Sequence, residues 1–461
     1  MNIGAAATAS GLDINSMVSK IVEAERAPKE ARINERRDNV DVSISAYGKL
    51  KGALDDMKYL MGDFRRNHTL SARTVSSDTP EVLTANASHE ALPGKYSVKV
   101  EQLAQSHKIV SGTFDDKEKM GAGKLAISLG ASAFNVDIPE DESKILDVVR
   151  LINRHPANTG VMASVIQDDA GARLVLSADK SGEQNNIKIR VDAPVASTLQ
   201  KFGFNPNNEI NSMREMQAAE DAKVVIDGLA VVTSDTNTIE DAIKGVDLNL
   251  QALTQRDEFG QPQDKPVIVD VAYDRNAVGG AIEQFVNAYN QFYATSQELA
   301  KFDPETQDKG PLVGDSIIRT IDSQLRAVFS TPVEGAPESI KTLSELGITT
   351  TLQGQLEIDY DLLDRQLEKN FADVGEFFSS REGFARKVED LIHAHTGITG
   401  SIKGRQDSLN EQRMALNSEQ EQLDRRMDSV QKRVHDQFTA MDKAMGDMKG
   451  QLSSMMSMLP S

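Results

Sequence analysis

The 461-residue chain contains no cysteine, which removes disulfides, thiol nucleophiles and thiolate zinc sites from consideration together. Such a chain suits a secreted particle assembled without oxidative folding. No apolar run approaches the roughly 18 to 20 residues that a membrane helix needs. Aromatic residues are scarce, at 5%. The net charge of −19 has the wrong sign for phosphate backbones and anionic lipid surfaces, which argues against nucleic-acid and membrane-surface roles. The opening MNIGAAATASGLDINSM has no basic start, apolar block or cleavage signal of the secretory type. The expectation is a protein that stays inside the cell or leaves by a route that reads another signal.

Catalytic signatures are missing as well. There is no GxSxG elbow, no phosphate loop ending in Gly-Lys-Ser/Thr, no HExxH and no acidic calcium loop. GAGKLAISLG, from Gly121, begins like a dinucleotide fingerprint, but it follows the polar DDKEKM and leads into a strand. Phosphate binding needs strand, glycine turn and then helix. His393 and His395 form the only close histidine pair; positions two apart on a helix do not share a face, and the following TGITG reads as a helix end. Both are expected to be solvated or to cap the helix. No catalytic residue, cofactor site or metal site is expected, and the chain does not read as an enzyme.

What is present is organisation. Residues 1–75 hold 12 Lys/Arg against 10 Asp/Glu and residues 401–461 hold 9 against 9, so residues 76–400 carry −21 of the net −19. Near-neutral ends of mixed sign are free to associate with other helices. At the start, Asp13 is a plausible N-cap, and Met17, Val18, Ile21 and Val22 form an apolar face expected to stop near Pro28. A second helix carries Val40, Ile44, Tyr47, Leu50, Leu54, Met57, Met61 and Phe64 at steps of three and four. The Ser-, Thr-, Asn- and Pro-rich stretch from Arg65 to Gly94 marks a boundary.

Strands follow. KYSVKVEQL alternates; LAISL and FNVDI flank a short turn at GASA; a helix carries Ile145, Val148, Val149 and Ile152; and MASVI, RLVLS and IKIRV are three more strands. Asp227-Gly228 between two apolar runs predicts a tight hairpin, IEDAIKGVDLNLQAL and PVIVDVAYD continue the β pattern, and residues 255–265 read as a polar loop. From Ala277 helices resume. The last one, from about Gly404 to Leu459, has two halves. Leu409, Leu416 and Leu423 recur every seven residues, but Gln406, Arg413 and Gln420 between them make this a weak coiled-coil seam. Met427, Val430, Val434, Phe438, Met441, Met445, Met448, Leu452, Met455 and Leu459 make a better one.

The fold class expected is α+β multidomain, with N- and C-terminal helices forming an α-helical coiled-coil leg and β-rich (α+β) head modules inserted between them. The division places an N-terminal arm at 1–40, flexible in the monomer; a helical leg at 41–75 plus 275–400; a β-rich head at 76–112 plus 218–274; an inserted α+β module at 113–217; and a coiled-coil arm at 401–461. Six methionines fall within residues 441–461. Methionine accepts more than one partner surface, so this seam suits a tail held first by one protein and later by another. The terminal stripes are expected to be poorly ordered alone and to become helical on assembly. The residues set apart as the assembly interface are Met17, Val18, Ile21, Val22, Phe438, Met441, Met445, Met448, Leu452, Met455 and Leu459.

Several stretches resemble the bacterial flagellar filament cap family, the hook-associated proteins of type two. SGLDINSMVSKIVEAERAP and GKYSVKVEQLAQSHKIVSGTF carry the likeness near the start. DAKVVIDGLAVVTSDTNTIEDAIKGVDLNL, YDRNAVGGAIEQFVNAYNQF, LVGDSIIRTIDSQLRAVF and LGITTTLQGQLEIDYDLLDRQLEKNFADVGEFF carry it later. DVVRLINRHPANTGVMASVIQDDAGARLVLSADKSGEQNNI is similar to a repeat-like motif of flagellins and hook proteins, with Ile152 and Asn153 as its signature pair. The likeness is weakest over Asp115–Ala122 and Pro194–Glu220.

The resemblance implies an extracellular cap at the distal tip of the flagellar filament, a pentamer-like ring of identical subunits that promotes insertion and polymerisation of exported flagellin and prevents its loss. It implies export through the flagellar type III system without a cleaved signal peptide. The partners implied are flagellin, hook-filament junction proteins and a cytoplasmic export chaperone on the C-terminal region. Two rival readings are another flagellar axial protein, such as a hook-filament junction protein or minor filament subunit, and a surface adhesin acting through the head modules. The rigid Asn, Arg and Ala-Gly opening of flagellin is not present here.

Overall fold

The computed structural model describes residues 13–115, 117–207, 211–254 and 265–456. It begins with one helix, α1 (Ile14–Arg66), whose N-cap is Asp13: the Asp13 carboxylate accepts from the Ser16 N–H at 3.1 Å. The expected break at Pro28 does not occur. Pro28 lies inside α1, so the interior loses one backbone hydrogen bond and takes on a ring clash, together costing about 3 kcal/mol. The helix is secured on both sides of that residue, by Arg26 on Asp424 before it and by buried Ile33 and Arg36 on Glu419 after it. Tertiary contact therefore outweighs the local rule, and the expected arm boundary at residue 40 falls mid-helix.

The next unit, Ser71–Asp274, is β-rich. Its strands are β1 (Arg73–Ser77), β2 (Leu83–Ala87), β3 (Gly94–Gln102), β4 (Ser106–Val110), β5 (Gly123–Leu129) and β6 (Ser132–Ile138). Then come helix α2 (Ile145–Arg154) and strands β7 (Val161–Asp168), β8 (Gly171–Ser181), β9 (Ile187–Asp192), β10 (Arg214–Gln217), β11 (Ala222–Ile226), β12 (Ala230–Ser234), β13 (Thr238–Ile243), β14 (Val246–Leu250) and β15 (Val267–Tyr273). Two hydrophobic cores form within it. One lies between the sheet β1-β15-β3-β11-β12 and the sheet β13-β14-β2, filled by Val98, Val100, Val224, Val269, Leu83 and Leu248. The other lies between β10-β4-β8-β7 and β6-β5-β9 with α2, filled by Ile109, Leu174, Leu176, Ile127, Val136 and Ile152.

Pairing revises the expected module boundary. Strand β4 hydrogen-bonds to β8 and β10, so Ser106–Val110 belongs to the second core, not to the 76–112 segment where sequence adjacency put it. Buried His107 on β4 joins the two sheets of that core: its Nδ1 accepts from the Ile187 N–H at 2.9 Å, which leaves Nε2 to donate to Glu215 at 2.9 Å. The Asp227-Gly228 turn forms as expected, with φ of 53° and 67° and the Leu229 N–H donating to the Ile226 carbonyl at 3.0 Å. The expected polar loop at 255–265 lies outside the described residues up to 264.

The flagellin-like pair Ile152–Asn153 has a physical role. Ile152 is fully buried in the second core. The Asn153 side-chain amide donates to the Ala163 carbonyl and accepts from the Ala163 N–H, both at 2.8 Å, closing the outer edge of β7.

The remaining unit joins α1 to α3 (Arg275–Ala300), α4 (Ser316–Ser330), the short hairpin β16 (Ile348–Thr350) and β17 (Leu356–Ile358), α5 (Tyr360–Lys369), α6 (Phe371–Ser379), α7 (Phe384–Thr396) and α8 (Ser401–Met456). The α1 stripe of Tyr47, Leu50, Leu54, Met57, Met61 and Phe64 is sealed at 0–1% exposure, each side chain contributing about 1.5–3 kcal/mol. An aromatic cluster fills this core: Phe64 meets Phe378 edge-on at 5.6 Å, and Phe384 packs with Phe285, Phe329, Phe377 and Phe378. Six phenylalanines thus gather where several helices converge. The whole is the expected α+β arrangement, helices at both ends of the chain and β modules between.

Candidate assembly interface

Helices α1 and α8 lie along each other in opposite directions. The cross-helix pairs Arg26–Asp424 and Arg36–Glu419, both at 2.6 Å, and Asp41–Arg413 at 3.7 Å show that each step forward on α1 is a step back on α8. With equal rise per residue in the two helices, Ile14 falls opposite about residue 440.

That register decides what is covered. On α8, Ile402, Leu409, Leu416, Leu423, Met427 and Val430 are buried. Val434 and Phe438 are half-buried. Met441, Met445, Met448, Leu452 and Met455 continue the same face and are exposed by 42%, 40%, 69%, 59% and 68%. The stripe therefore emerges from under α1 and runs on uncovered among the described residues for about 21 Å from Met441 to Met455.

Two of the polar seam positions that weakened the first half in sequence find partners: Arg413 reaches Asp41 on α1, and Gln420 donates at 3.2 Å to Asp424 on α8 itself, which in turn accepts from Arg26 on α1. At the other end, Met17 and Ile21 are exposed by 37% and 41%, Val22 is half-buried and Val18 is buried within its own chain. Val18 thus drops out of the free surface, and Leu459 lies outside the described residues.

A groove between α1 and α8 adds charge that the sequence reading did not single out. Lys29, Arg32, Arg36 and Arg426 surround buried Ile33 and Leu423. Lys29 pairs with Glu25 and Arg36 with Glu419, whereas Arg32 and Arg426 form no ion pair among the described residues. The signal was available as four cations on two helices, but their convergence depends on the antiparallel register. A second uncovered patch, with Met162, Ile166 and Met216 exposed beside Lys108, Arg173 and Arg214, lies on the sheet β10-β4-β8-β7 and was also not anticipated.

The titratable groups serve structure. The Tyr47 hydroxyl donates to Asp315, the N-cap of α4; burial, then the Asp315 carboxylate, pushes its pKa far above the usual range and keeps it a neutral donor. Burial pushes Tyr289 up to about 12. His395, expected to be solvated or capping, is instead buried at the joint between α7 and α8, with Nδ1 on Ser401 Oγ and Nε2 on Gln324 Oε1, both at 2.8 Å. Burial lowers its pKa. His393 faces Lys58 at 3.2 Å. Among the described residues no three His, Asp or Glu side chains gather as a metal site, and no described helix is long and apolar enough to cross a membrane.

Two family models match the chain: flagellar hook-associated protein 2 N-terminus over residues 10–107 and flagellar hook-associated protein 2 C-terminus over residues 219–450. The polar flagellar hook-associated protein 2 of Vibrio parahaemolyticus is 34% identical, with all of both chains covered. The A-type flagellar hook-associated protein 2 of Pseudomonas aeruginosa is 30% identical over 98% of this chain and 96% of its own. Among solved structures, the D1-D2-D3 domains of the flagellar cap protein FliD from Escherichia coli superpose with a TM-score of 0.67 at 29% identity, covering 79% of this chain and 99% of that one. A helical unit formed from both chain ends, β modules between them and these likenesses along the whole length converge: the chain belongs to the flagellar hook-associated protein 2 family, the filament caps of bacterial flagella.

Proposed function

We propose that this chain sits at the distal tip of the filament as a pentamer-like ring of identical subunits, and that the paired helices α1 and α8 are legs reaching into gaps between flagellin subunits. The observation that carries the reading is the single apolar face of α8, covered by α1 as far as Val430 and exposed, among the described residues, from Met441 to Met455. An apolar stripe of that length facing water marks a surface meant to be covered. Its mixed, near-neutral flanks, Lys443, Asp447 and Lys449, do not repel a neighbouring helix. In this reading the legs help newly exported flagellin fold and insert, and the cap prevents its loss.

The same stripe serves a second holder. Before export, a cytoplasmic chaperone covers the C-terminal region; the chain then leaves through the flagellar type III apparatus, and the stripe passes to flagellin, with hook-filament junction proteins as earlier neighbours on the axial structure. Methionine supports such a succession, because its flexible thioether repacks against different surfaces.

Cells lacking the gene, complemented with the native chain or with Met445→Glu/Met448→Glu, test the docking role. The native chain is expected to restore filaments, while the double variant, present at equal level, leaves flagellin free in the medium. Filaments of normal length from the double variant would remove the stripe from the mechanism.

A further inference from the structure

We propose that the α8 stripe is a reversible oxidation site, at which a peroxide converts Met441, Met445, Met448 and Met455 to sulfoxides and thereby switches off docking. This rests on the docking role given above to the same stripe and adds to it a modifying chemistry and a mode of regulation.

The methionines fall into two classes with nothing between. Of the thirteen whose side chains are described, Met57, Met61, Met120, Met213 and Met427 are at most 3% exposed, and the other eight are at least 37% exposed. Four of those eight lie on one face of one helix, at spacings of four, three and seven. The other four, Met17, Met162, Met216 and Met414, are scattered over three further elements and another part of α8. Because the chain has no cysteine, no thiol competes for the oxidant or shields the thioethers by reacting first.

The chemistry is a two-electron oxygen transfer. A lone pair on Sδ attacks one oxygen of hydrogen peroxide and the O–O bond breaks. Its electron pair leaves with the other oxygen, which takes the proton from the sulfur-bound hydroxyl and departs as water. Each thioether is oxidised to a sulfoxide and each peroxide is reduced. The product is polar and needs a hydrogen-bond donor, which an apolar helix contact does not supply.

Four sulfoxides along one face turn the stripe from a docking surface into a solvated one. A thiol-dependent sulfoxide reductase reverses the change, two thiols joining as a disulfide while the oxygen leaves as water. Once covered by neighbours the sulfurs are out of reach, so sensitivity belongs to the chain before it docks.

The full-length protein, treated with hydrogen peroxide and mapped by peptide mass spectrometry, should oxidise at the four α8 sulfurs about tenfold or more faster than at the five sealed ones. Supplied to cells lacking the gene, treated protein should retain about tenfold less flagellin in filaments than untreated protein, and reductase treatment should restore it. The variant M441L/M445L/M448L/M455L, combined with M17L because Met17 is the other exposed interface methionine, keeps the apolar faces without oxidisable sulfur, retains Met162, Met216 and Met414 as a control, and should stay within about twofold of its untreated activity after peroxide. The proposal is overturned if native protein with all four sulfurs oxidised still caps, or if the leucine variant loses capping equally.

A glutamine set at the same four positions, untreated and checked for native circular dichroism, separates the two ideas. If the glutamine set caps normally, the docking role itself fails. If it fails to cap while the oxidised native protein succeeds, only the oxidation proposal falls.

Discussion

The first and second halves of α8 share one helix and one apolar face, and they differ in what lies against it. From Ile402 to Val430 the seam is thinly apolar, interrupted by Gln406, Arg413 and Gln420, yet α1 covers it and the leucines are at most 7% exposed. From Met441 to Met455 the seam is richer in apolar residues and bare. Apolar content measures the capacity of a helix to be covered; the partner's reach determines where covering happens. A well-formed stripe left open next to a mediocre one that is closed is the pattern expected when one half stabilises the monomer and the other is reserved for neighbours.

The comparison is most directly broken by removing the second half. Truncation after residue 440 is expected to abolish filament growth from the tip while leaving the thermal midpoint of the purified monomer nearly unchanged, since the described apolar side chains removed, Met441, Met445, Met448, Leu452 and Met455, are exposed. A lowered midpoint would mean that the bare half stabilises the monomer after all. Next in size, Leu416→Ala or Leu423→Ala in the covered half should cost about 2–4 kcal/mol in urea unfolding, against less than about 0.5 kcal/mol for Leu452→Ala.

Pro28→Ala should raise stability by about 1–3 kcal/mol, because it restores a backbone hydrogen bond in α1 without touching a buried contact. A fall would show that the proline sets a bend the α1–α8 packing requires. The smallest effect concerns the root of α8. His395 is held neutral by burial, with its pKa below the ordinary value, so it contributes stability above the unfolded histidine pKa that is lost as pH falls toward the lower folded value. The decline in unfolding stability on acidification should be shallower in His395→Gln, measured by denaturant titration across that window.

Much of the architecture was legible in the chain. Steps of three and four from Val40 to Phe64 gave a helix and its buried face, alternation gave the strands, and Asp227-Gly228 gave a turn whose positive φ angles few other pairs tolerate. Three features were not legible, each for a long-range reason. Pro28 breaks isolated helices, but contacts with residues nearly four hundred positions away hold α1 through it. Ser106–Val110 follows β3 closely in sequence, yet its partners are β8 and β10. His395 looks like a helix-end histidine until Gln324 from α4 and Ser401 from α8 close around it.

The candidate interface was half legible. Spacing identified the stripe members, but nothing in a stripe says where its cover stops. That came from the ion pairs Arg26–Asp424, Arg36–Glu419 and Asp41–Arg413, which fix the antiparallel offset, and those partners are no more distinctive in sequence than any other charge on these helices.

The Asn153 amide that grips both polar backbone groups of Ala163 has counterparts: Asn237 does the same to Ala104, at 2.7 and 3.0 Å, and Asn290 to Leu356, both at 2.8 Å. On the edge strands β7 and β17 the asparagine occupies a backbone position from which another strand could be recruited, whereas Asn237 ties down the link between β3 and β4. Where many identical chains are crowded together, such plugs deny a neighbour's strand a place on that edge.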